Sequence, residues 1–176
     1  MKTTVYVATS LDGFIARENG DLGWLHAFEG AGGEDYGYNA FMETVDAVVM
    51  GRGTYEKVRA FEDWPYDKPV VVLTSQSTAI PPQLGTSVEV MAGTPSEVLE
   101  RLSSRGMQHV YVDGGRTIQG FLAAGLIHRL IITRIPVLIG RGIPLFGPLP
   151  RDIPLKHLGS RQYPNGLVQT EYAMGT

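Results

Sequence analysis

Short runs of β-branched and aliphatic residues alternate along the chain with stretches whose apolar positions recur at helical spacing. Several of these runs are nearly continuous in valine, isoleucine and leucine, which is typical of strands covered on both faces. The pattern predicts strands at 3–9, 46–50, 69–74, 87–91, 109–113 and 128–135, and helices near 34–44, 54–60, 95–105 and 116–124. Alternating strands and helices indicate a mostly parallel sheet with helices on both faces.

Local signals are strongest for the helix at 95–105. Thr94 can cap it, and Pro95 suits its first position. Glu97 completes a capping box, and Gly106 can end the helix. The sequence therefore predicts both ends of this element.

The end of the chain has a different pattern. The stretches LKHLGSRQY and LVQTEYA flank Pro-Asn-Gly, and Asn165-Gly166 is typical of a tight hairpin turn. We therefore expect a mixed sheet whose last strands are antiparallel. The length of 176 residues predicts one domain spanning 1–176.

Composition narrows the function classes. The chain has 43% hydrophobic and 19% charged residues and a net charge of −3, which argues against nucleic acid or an anionic membrane as the main partner. It has no cysteine, so disulfides and thiolate sites are excluded. No apolar run reaches the roughly 18 residues of a membrane span. We expect a cytoplasmic protein.

The stretch VVMGRGTYEKV, from position 48, leads from a predicted buried strand through Gly51, Arg52, Gly53 and Thr54 into a helix. The free amides and the positive dipole end of a helix start attract phosphate. Glycines let a ligand approach the backbone, and Arg52 can bind phosphate with two donors. The alternative is a plain turn with a surface arginine.

Two more strands end in similar chemistry. HVYVDGGRTIQGFL places Gly114 and Gly115 between a strand and a helix, and PVVVLT ends in Thr74, Ser75 and Gln76. In open α/β sheets, ligands bind outside the carboxyl ends of the strands. Two glycine turns of this kind favour a ligand with phosphate groups, although either can be a plain turn.

One carboxylate and the histidines complete the candidate chemistry. Asp35 lies near the start of the predicted Tyr36–Thr44 helix, where it is either an N-terminal helix charge or a proton donor facing a pocket. The four histidines lack ligand spacing, so we expect no metal site.

Together these stretches resemble the dihydrofolate reductase superfamily, in particular the branch that includes the C-terminal reductase domain of the bifunctional riboflavin-biosynthesis deaminase-reductase. The resemblance rests on SLDGFIA (10–16), MGRGTYE (50–56), VVLTSQS (71–77), VYVDGGRTI (110–118), LIITRIPVLIGRGIPLF (130–146) and the terminal hairpin. It implies a three-layer α/β fold with a mixed, mostly parallel sheet of about eight strands.

The resemblance also implies NADPH as the cofactor. The turn at 51–54 would hold its phosphates, the loop after PVVVLT would lie by the adenosine ribose, and the Gly-Gly pair would carry a cis peptide bond. The implied cofactor residues are Ala8, Ile15, Ala16, Gly51, Arg52, Gly53, Thr54, Thr74, Ser75, Gln76, Gly114, Gly115, Arg116, Thr117 and Ile118.

For catalysis, the resemblance places Asp35 where dihydrofolate reductases carry the acid that supports protonation, and Thr133 where a hydroxyl hydrogen-bonds with that acid. Burial in a partly apolar pocket would then raise the pKa of Asp35. The substrate would contact Trp24, Tyr36 and Asn39. The loop EGAGGEDYG at 29–37 is unusually rich in glycine compared with folate enzymes.

The resulting hypothesis is an NADPH-dependent reductase that transfers hydride to a pteridine- or pyrimidine-like small molecule. The first alternative is 5-amino-6-(5-phosphoribosylamino)uracil reductase of riboflavin biosynthesis, for which Arg134, Arg141 or Lys57 could bind the substrate phosphate. The second is a non-catalytic nucleotide-binding or regulatory protein on the same fold. A homodimer is a further expectation from the relatives.

Overall fold

The computed structural model describes residues 1–28 and 33–175, so residues 29–32 of the glycine-rich loop lie outside the described part of the chain. The strands are β1 Lys2–Ser10, β2 Phe14–Ala16, β3 Ala47–Gly51, β4 Val70–Leu73, β5 Val88–Met91, β6 His109–Asp113, β7 Arg129–Ile135, β8 Ile143–Pro144, β9 Leu155–Gln162 and β10 Val168–Met174. The helices are α1 Gly23–His26, α2 Tyr38–Glu43, α3 Arg52–Val58, α4 Pro95–Ser104 and α5 Gly115–Ala123.

Eight strands form one sheet in the order β5-β4-β3-β6-β1-β7-β10-β9. The first six of these strands are parallel to one another, and β10 is antiparallel to both β7 and β9. The predicted mixed, mostly parallel sheet with a C-terminal hairpin is confirmed. Because β6 returns between β3 and β1, the carboxyl ends of these three strands meet at the middle of one sheet edge.

Helices cover the sheet on both faces. On one face, α4 and α5 pack on alternate residues of the central strands, including Val5, Val49, Val71 and Val110. On the other face, α2 and α3 pack on the residues between them, such as Val48, Met50, Val70 and Tyr111. Burial on both faces explains why these strands are almost continuously apolar.

The second face continues toward the C-terminal hairpin as a smaller cluster. Trp24 of α1 packs there with Ile135, Tyr163 and Leu167, all of them buried. This cluster connects α1 to the hairpin.

The start of α2 differs from the sequence prediction. The helix was expected near 34, but it begins at Tyr38, since the chain first passes through two left-handed residues, Tyr36 (φ 58°) and Gly37 (φ 86°). Left-handed residues cannot continue a right-handed helix. The short elements β2, β8 and α1 had no sequence prediction, because three or four residues carry too little periodicity.

None of the helices in the described part of the chain is both long and apolar enough to cross a membrane.

The predicted cap of α4 is confirmed. The Thr94 hydroxyl accepts a hydrogen bond from the Glu97 backbone N–H at 3.3 Å, and the Glu97 carboxylate accepts one from the Thr94 N–H at 2.7 Å. Both bonds satisfy N–H groups that have no partner within the helix. The box anchors the helix that covers one face of the sheet.

We predict that Thr94→Ala lowers the free energy of unfolding by about 0.5–2 kcal/mol, because it removes the side-chain acceptor at the N-cap. Urea unfolding measures this difference. Thr94→Ser is the matched control and should stay close to the parent protein, since it keeps the hydroxyl. Equal losses in both variants would contradict the assigned role of the hydroxyl.

Candidate active site

The two glycine turns lie side by side. Strands β3 and β6 are neighbours, and Met50 is paired with Asp113, so each strand delivers its turn to the same point of the edge. A Cβ atom at Gly51 would come within 2.8 Å of the Thr117 hydroxyl, and one at Gly114 would overlap the Thr54 hydroxyl. Each turn therefore contacts the helix that follows the other.

Gly114 has a backbone conformation that favours glycine, with φ 87° and ψ 133°. The implied cis Gly-Gly bond is not found, since the described residues contain no cis peptide bond. The direction of the chain changes at the positive φ of Gly114 instead.

Both helix starts offer unused amides. The N-caps of α3 and α5 are Gly51 and Gly114, and neither helix has a side-chain cap. Such a pair of uncapped starts attracts an anion through backbone N–H groups. The space around Gly53 is open, because a Cβ atom there would meet nothing within 4 Å.

The charged and polar residues predicted for the cofactor surround these starts. Arg52, the first residue of α3, is exposed and forms an exposed ion pair at 3.5 Å with Glu56, one turn further along the helix. Arg116 is exposed at the start of α5. In the neighbouring loop after β4, the Thr74 hydroxyl accepts the Gln76 N–H at 3.1 Å, and Ser75 and Gln76 are exposed.

The apolar residues that were predicted to contact the cofactor lie at the same edge of the sheet. Ile15 reaches the second turn, since its Cδ1 atom lies 2.8 Å from where a Gly115 Cβ would be. Ala16 and Ile118 are buried, and Ala8 is half-buried beside the Trp24 cluster. The structure thus brings the predicted cofactor residues together. The open space at Gly53 and the two helix starts without a side-chain cap fit a dinucleotide with a pyrophosphate.

Asp35 does not have the predicted environment. Its carboxylate is fully exposed and accepts hydrogen bonds from the N–H groups of Gly37 at 2.9 Å and Asn39 at 3.0 Å. These bonds lower the pKa of Asp35, so the expected raised pKa is wrong. Of the two roles considered, the geometry matches the helix-start charge.

Thr133 is buried on β7, but its partner is not Asp35. The Thr133 hydroxyl accepts a hydrogen bond from the Gln169 side-chain amide at 3.0 Å, and no hydrogen bond joins it to Asp35 in the described part of the chain. The implied pair of Asp35 and Thr133 is therefore not found. Thr133 remains next to the site, because it is paired with Ala8 across the sheet.

Tyr36 is a strained junction between the segment before α2 and the hairpin. Among described residues it alone has a positive φ without being glycine. Its carbonyl oxygen accepts from the Tyr6 hydroxyl at 2.7 Å, the Gln169 amide at 3.1 Å and the Tyr163 hydroxyl at 3.3 Å. Its own hydroxyl accepts from Asn165 at 2.7 Å. These bonds offset a backbone strain of about 1–3 kcal/mol and fix the entry to α2.

The other two predicted substrate residues have different environments. Trp24 is buried, and its indole N–H has no hydrogen-bond partner in the described part of the chain. This N–H is itself shielded from solvent, so it is a costly buried donor and does not face an open site. Asn39 is exposed on α2, where its backbone N–H binds Asp35, so nothing directs its side chain into the pocket.

Asp113 is a site residue that the sequence reasoning missed. It is the last residue of β6, on the same face as Tyr111, and its carboxyl group accepts the Gly114 N–H at 2.7 Å. Burial raises the pKa of Asp113 to about 6, although the hydrogen bond from the Gly114 N–H acts in the opposite direction. The sequence feature that could have indicated Asp113 is its position directly before the Gly-Gly turn.

Residues 1–169 match the RibD C-terminal domain family. The chain belongs to this family, which confirms the branch indicated by the sequence motifs. It is 37% identical over 174 residues to the uncharacterized protein YwjB of Bacillus subtilis (strain 168), covering 97% of each chain.

Solved structures show the same fold. A putative riboflavin biosynthesis protein from Shewanella sp. PV-4 is 41% identical, with a TM-score of 0.95 and full coverage of both chains. The deaminase/5-amino-6-(5-phosphoribosylamino)uracil reductase of Thermotoga maritima is 16% identical with a TM-score of 0.77, and the match covers 99% of this chain and 56% of that one. Dihydrofolate reductase from Enterococcus faecalis, complexed with NADP(H), is also 16% identical, with a TM-score of 0.69 and coverage of 99% and 97%.

We predict that Gly114→Ala disrupts the paired turns, because its Cβ overlaps Thr54 and its φ is 87°. The free energy of unfolding should fall by about 1–3 kcal/mol. Gly120→Ala is the matched control on the same segment. It should be neutral or stabilising by up to about 1 kcal/mol, since nothing lies within 4 Å and alanine favours the helix. Thermal unfolding compares the two, and a harmless Gly114→Ala would contradict this geometry.

The raised pKa of Asp113 predicts how stability depends on pH. Because the folded-state pKa of about 6 lies above the ordinary 3.8, the folded protein holds a proton that the unfolded chain releases. Stability is therefore lost as pH rises from about 4 through 6, by an amount on the order of 2–3 kcal/mol. Asp113→Asn should remove this loss. Urea unfolding of the variant and the parent from pH 4.5 to 8 gives the difference between their free energies of unfolding. If this difference does not change with pH, the raised pKa of Asp113 is wrong.

Proposed function

We propose that this protein is an NADPH-dependent reductase that reduces a C=N bond, or a similar bond, in a pteridine- or pyrimidine-like small molecule. The observation that carries the proposal is the buried carboxyl of Asp113 directly beside two uncapped helix starts. The helix starts fit the phosphates of a dinucleotide, and the carboxyl group fits the proton requirement of a reduction.

The cofactor assignment rests on this chain's own residues. Gly53 leaves open space at the start of α3, and the exposed Arg52 adds a charge that a 2′-phosphate can use. The Thr74–Gln76 loop lies at the end of β4, the strand next to β3, within the same edge. Bound NADPH would supply the hydride.

Proton delivery is assigned to Asp113. In its protonated form, Asp113 gives its proton to the substrate nitrogen while the neighbouring carbon accepts the hydride, so that C=N becomes CH–NH. Asp113 is left as a carboxylate and takes a proton from water. A pKa of about 6 keeps both forms populated near neutral pH, which is the condition for efficient proton transfer. Asp35 is ionised and exposed, so it is the weaker donor.

The substrate side is formed by aromatic and buried polar groups. Tyr6 and Phe41 stack with ring centroids 4.9 Å apart, and Tyr6 meets Tyr38 edge-on at 5.5 Å. Such a wall suits a flat ring. The protein's part is to bind and orient this ring.

A second candidate is 5-amino-6-(5-phosphoribosylamino)uracil reductase. It is supported by the family assignment and by the Thermotoga maritima relative, whose reductase bears that name. Its substrate carries a phosphate. Arg134 and Arg141 are exposed, while the Lys57 ammonium donates to the Asn19 carbonyl at 3.1 Å. Turnover of that compound with NADPH would favour this candidate over the first.

We predict that Arg52→Ala weakens NADPH binding by about 1.5–3 kcal/mol, because a charge-assisted contact is lost. NADH, which lacks the 2′-phosphate, should lose much less. Nicotinamide fluorescence titration measures both dissociation constants.

Arg105→Ala is the matched control, since Arg105, directly after α4, has a similarly exposed ion pair with Glu89 of β5. It should leave both constants unchanged. An unchanged constant for NADPH in Arg52→Ala would reject the assignment of Arg52. If the parent protein binds neither nucleotide, the reductase proposal fails.

A further inference from the structure

The motif SLDGFIA contains a carboxylate that the proposed reaction does not use. Asp12 lies in the turn between β1 and β2, and its side chain is exposed. Each of its carboxylate oxygens accepts one backbone N–H from a distant segment: Oδ1 from Ile139 at 3.2 Å and Oδ2 from Gly140 at 2.8 Å. Hydrogen bonds to an ionised carboxylate are about twice as strong as neutral ones. Asp12 therefore connects the β1–β2 turn to the loop between β7 and β8.

The bonds of Asp12 lie where the two segments change their relative direction. Strand β1 runs parallel to β7, whereas β2 runs antiparallel to β8. The chain between β7 and β8 must therefore reverse relative to the β1–β2 segment, and Gly140 lies in this reversal with φ 75°. Beside it, the Leu11 N–H donates to the Val137 carbonyl at 2.8 Å. Asp12 thus binds the reversal from the side by two amides.

The two connected segments, residues 11–16 and 137–145, form what we call the β2–β8 wall. Both of its strands contact the second glycine turn. A Cβ atom at Gly115 would lie 2.8 Å from Cδ1 of Ile15 on β2 and 3.2 Å from Cγ2 of Ile143 on β8. Both isoleucines are half-buried. The wall therefore lies against the start of α5 and offers apolar side chains there.

The order of the strands determines which half of a dinucleotide would meet this wall. Strand β4, with the Thr74–Gln76 loop, lies on one side of the β3–β6 pair, and β1, which leads into the wall, lies on the other side. With the pyrophosphate at the starts of α3 and α5 and the adenosine at the β4 loop, as proposed above, the nicotinamide half extends toward β1. It then reaches the β2–β8 wall.

We propose that Asp12 is a positioning residue for the nicotinamide half of the cofactor, because its two hydrogen bonds hold the β2–β8 wall in place. The inference rests on the proposed reductase function and adds a residue to it. Asp12 acts through Ile15 and Ile143 and does not itself touch the cofactor. A wall that is already ordered lowers the conformational entropy that is lost on binding. The adenosine half lies on the other side of the glycine turns and gains nothing from Asp12.

The test compares NADPH with adenosine 2′,5′-bisphosphate, which lacks the nicotinamide half. Asp12→Ala should weaken the binding of NADPH at least about fivefold, a typical size for coupling between a ligand and a remote contact, and should change that of the bisphosphate by less than about twofold. Calorimetric titration measures both dissociation constants. An unchanged constant for NADPH, or equal weakening of both ligands, would overturn the proposal.

Asp46→Ala is the matched control. The Asp46 side chain is also exposed, and it also accepts two backbone N–H groups from a distant segment, from Gln108 at 2.7 Å and His109 at 2.9 Å. It directly precedes β3 and so lies at the opposite edge of the sheet. Asp46→Ala should lower stability to a similar extent as Asp12→Ala but leave the binding of NADPH unchanged. If it weakens NADPH as much as Asp12→Ala does, general stability explains the effect and the proposal is wrong.

Two further readouts separate positioning from a purely structural role. Asp12→Asn keeps one acceptor oxygen, but its amide NH₂ cannot accept the second N–H, so its affinity for NADPH should lie between those of the parent and Asp12→Ala. The fluorescence of bound NADPH reports on the nicotinamide itself, because emission rises when the ring is held away from water. At saturation, emission per bound NADPH should be lower in Asp12→Ala than in the parent. Equal emission would mean that the ring's surroundings do not depend on Asp12.

The outcome is separable from that of the reductase proposal. If the parent protein binds NADPH and Asp12→Ala binds it equally well, only the role of Asp12 is refuted. If the parent protein binds no NADPH, the reductase proposal and this inference both fail.

Discussion

The close approach of two chain reversals constrains the whole molecule. Strands β3 and β6 are hydrogen-bonded neighbours, and each must turn into a helix at the same edge of the sheet. The space between the turns admits no side chain at Gly114, which lies against Thr54, and almost none at Gly51, which lies against Thr117. Glycine at these positions is therefore required by packing. The uncapped amides of α3 and α5 follow from the same arrangement, since a glycine N-cap has no side chain to bind them.

Asp113 receives its properties from that constraint. As the last residue of β6 it lies between the sheet and the turn, with Tyr111 two residues earlier on the same face. Burial of its carboxyl group outweighs the hydrogen bond from the Gly114 N–H, which would otherwise lower its pKa. A carboxyl group that titrates near neutral pH is a common feature of active sites. The candidate phosphate site at the start of α5 and the candidate proton donor Asp113 are therefore adjacent in the chain.

Much of the fold could be predicted from the sequence because its central strands are short, almost continuously apolar runs that alternate with helices. The two turns after β3 and β6 could also be predicted, since glycine turns after buried strands have a defined physical meaning, whereas the wider set of cofactor residues was implied only by the family resemblance. Asp35 was misjudged for a different reason. Its predicted helix began too early, and the two left-handed residues that follow it place the carboxylate at an exposed cap. Nothing in a one-dimensional pattern reveals that Tyr36 adopts a positive φ, because three hydrogen bonds from Tyr6, Tyr163 and Gln169 support it.

The surroundings of Asp113 were equally hidden. Tyr38, Tyr66 and Tyr111 are spread over more than seventy residues and pack in one hydrophobic cluster on the face of the sheet that α2 and α3 cover. The sequence alone does not distinguish these three tyrosines from ordinary core tyrosines. Burial, rather than any motif, gives this carboxyl group its raised pKa.

The most direct measurement is a crystal structure of the protein grown with NADPH. The account predicts density for the pyrophosphate between the starts of α3 and α5, with the 2′-phosphate near Arg52 and the nicotinamide on the side of Ala8 and Asp113. Density for the nucleotide at any other place, or none at saturating concentration, would contradict the assignment of this edge as the active site.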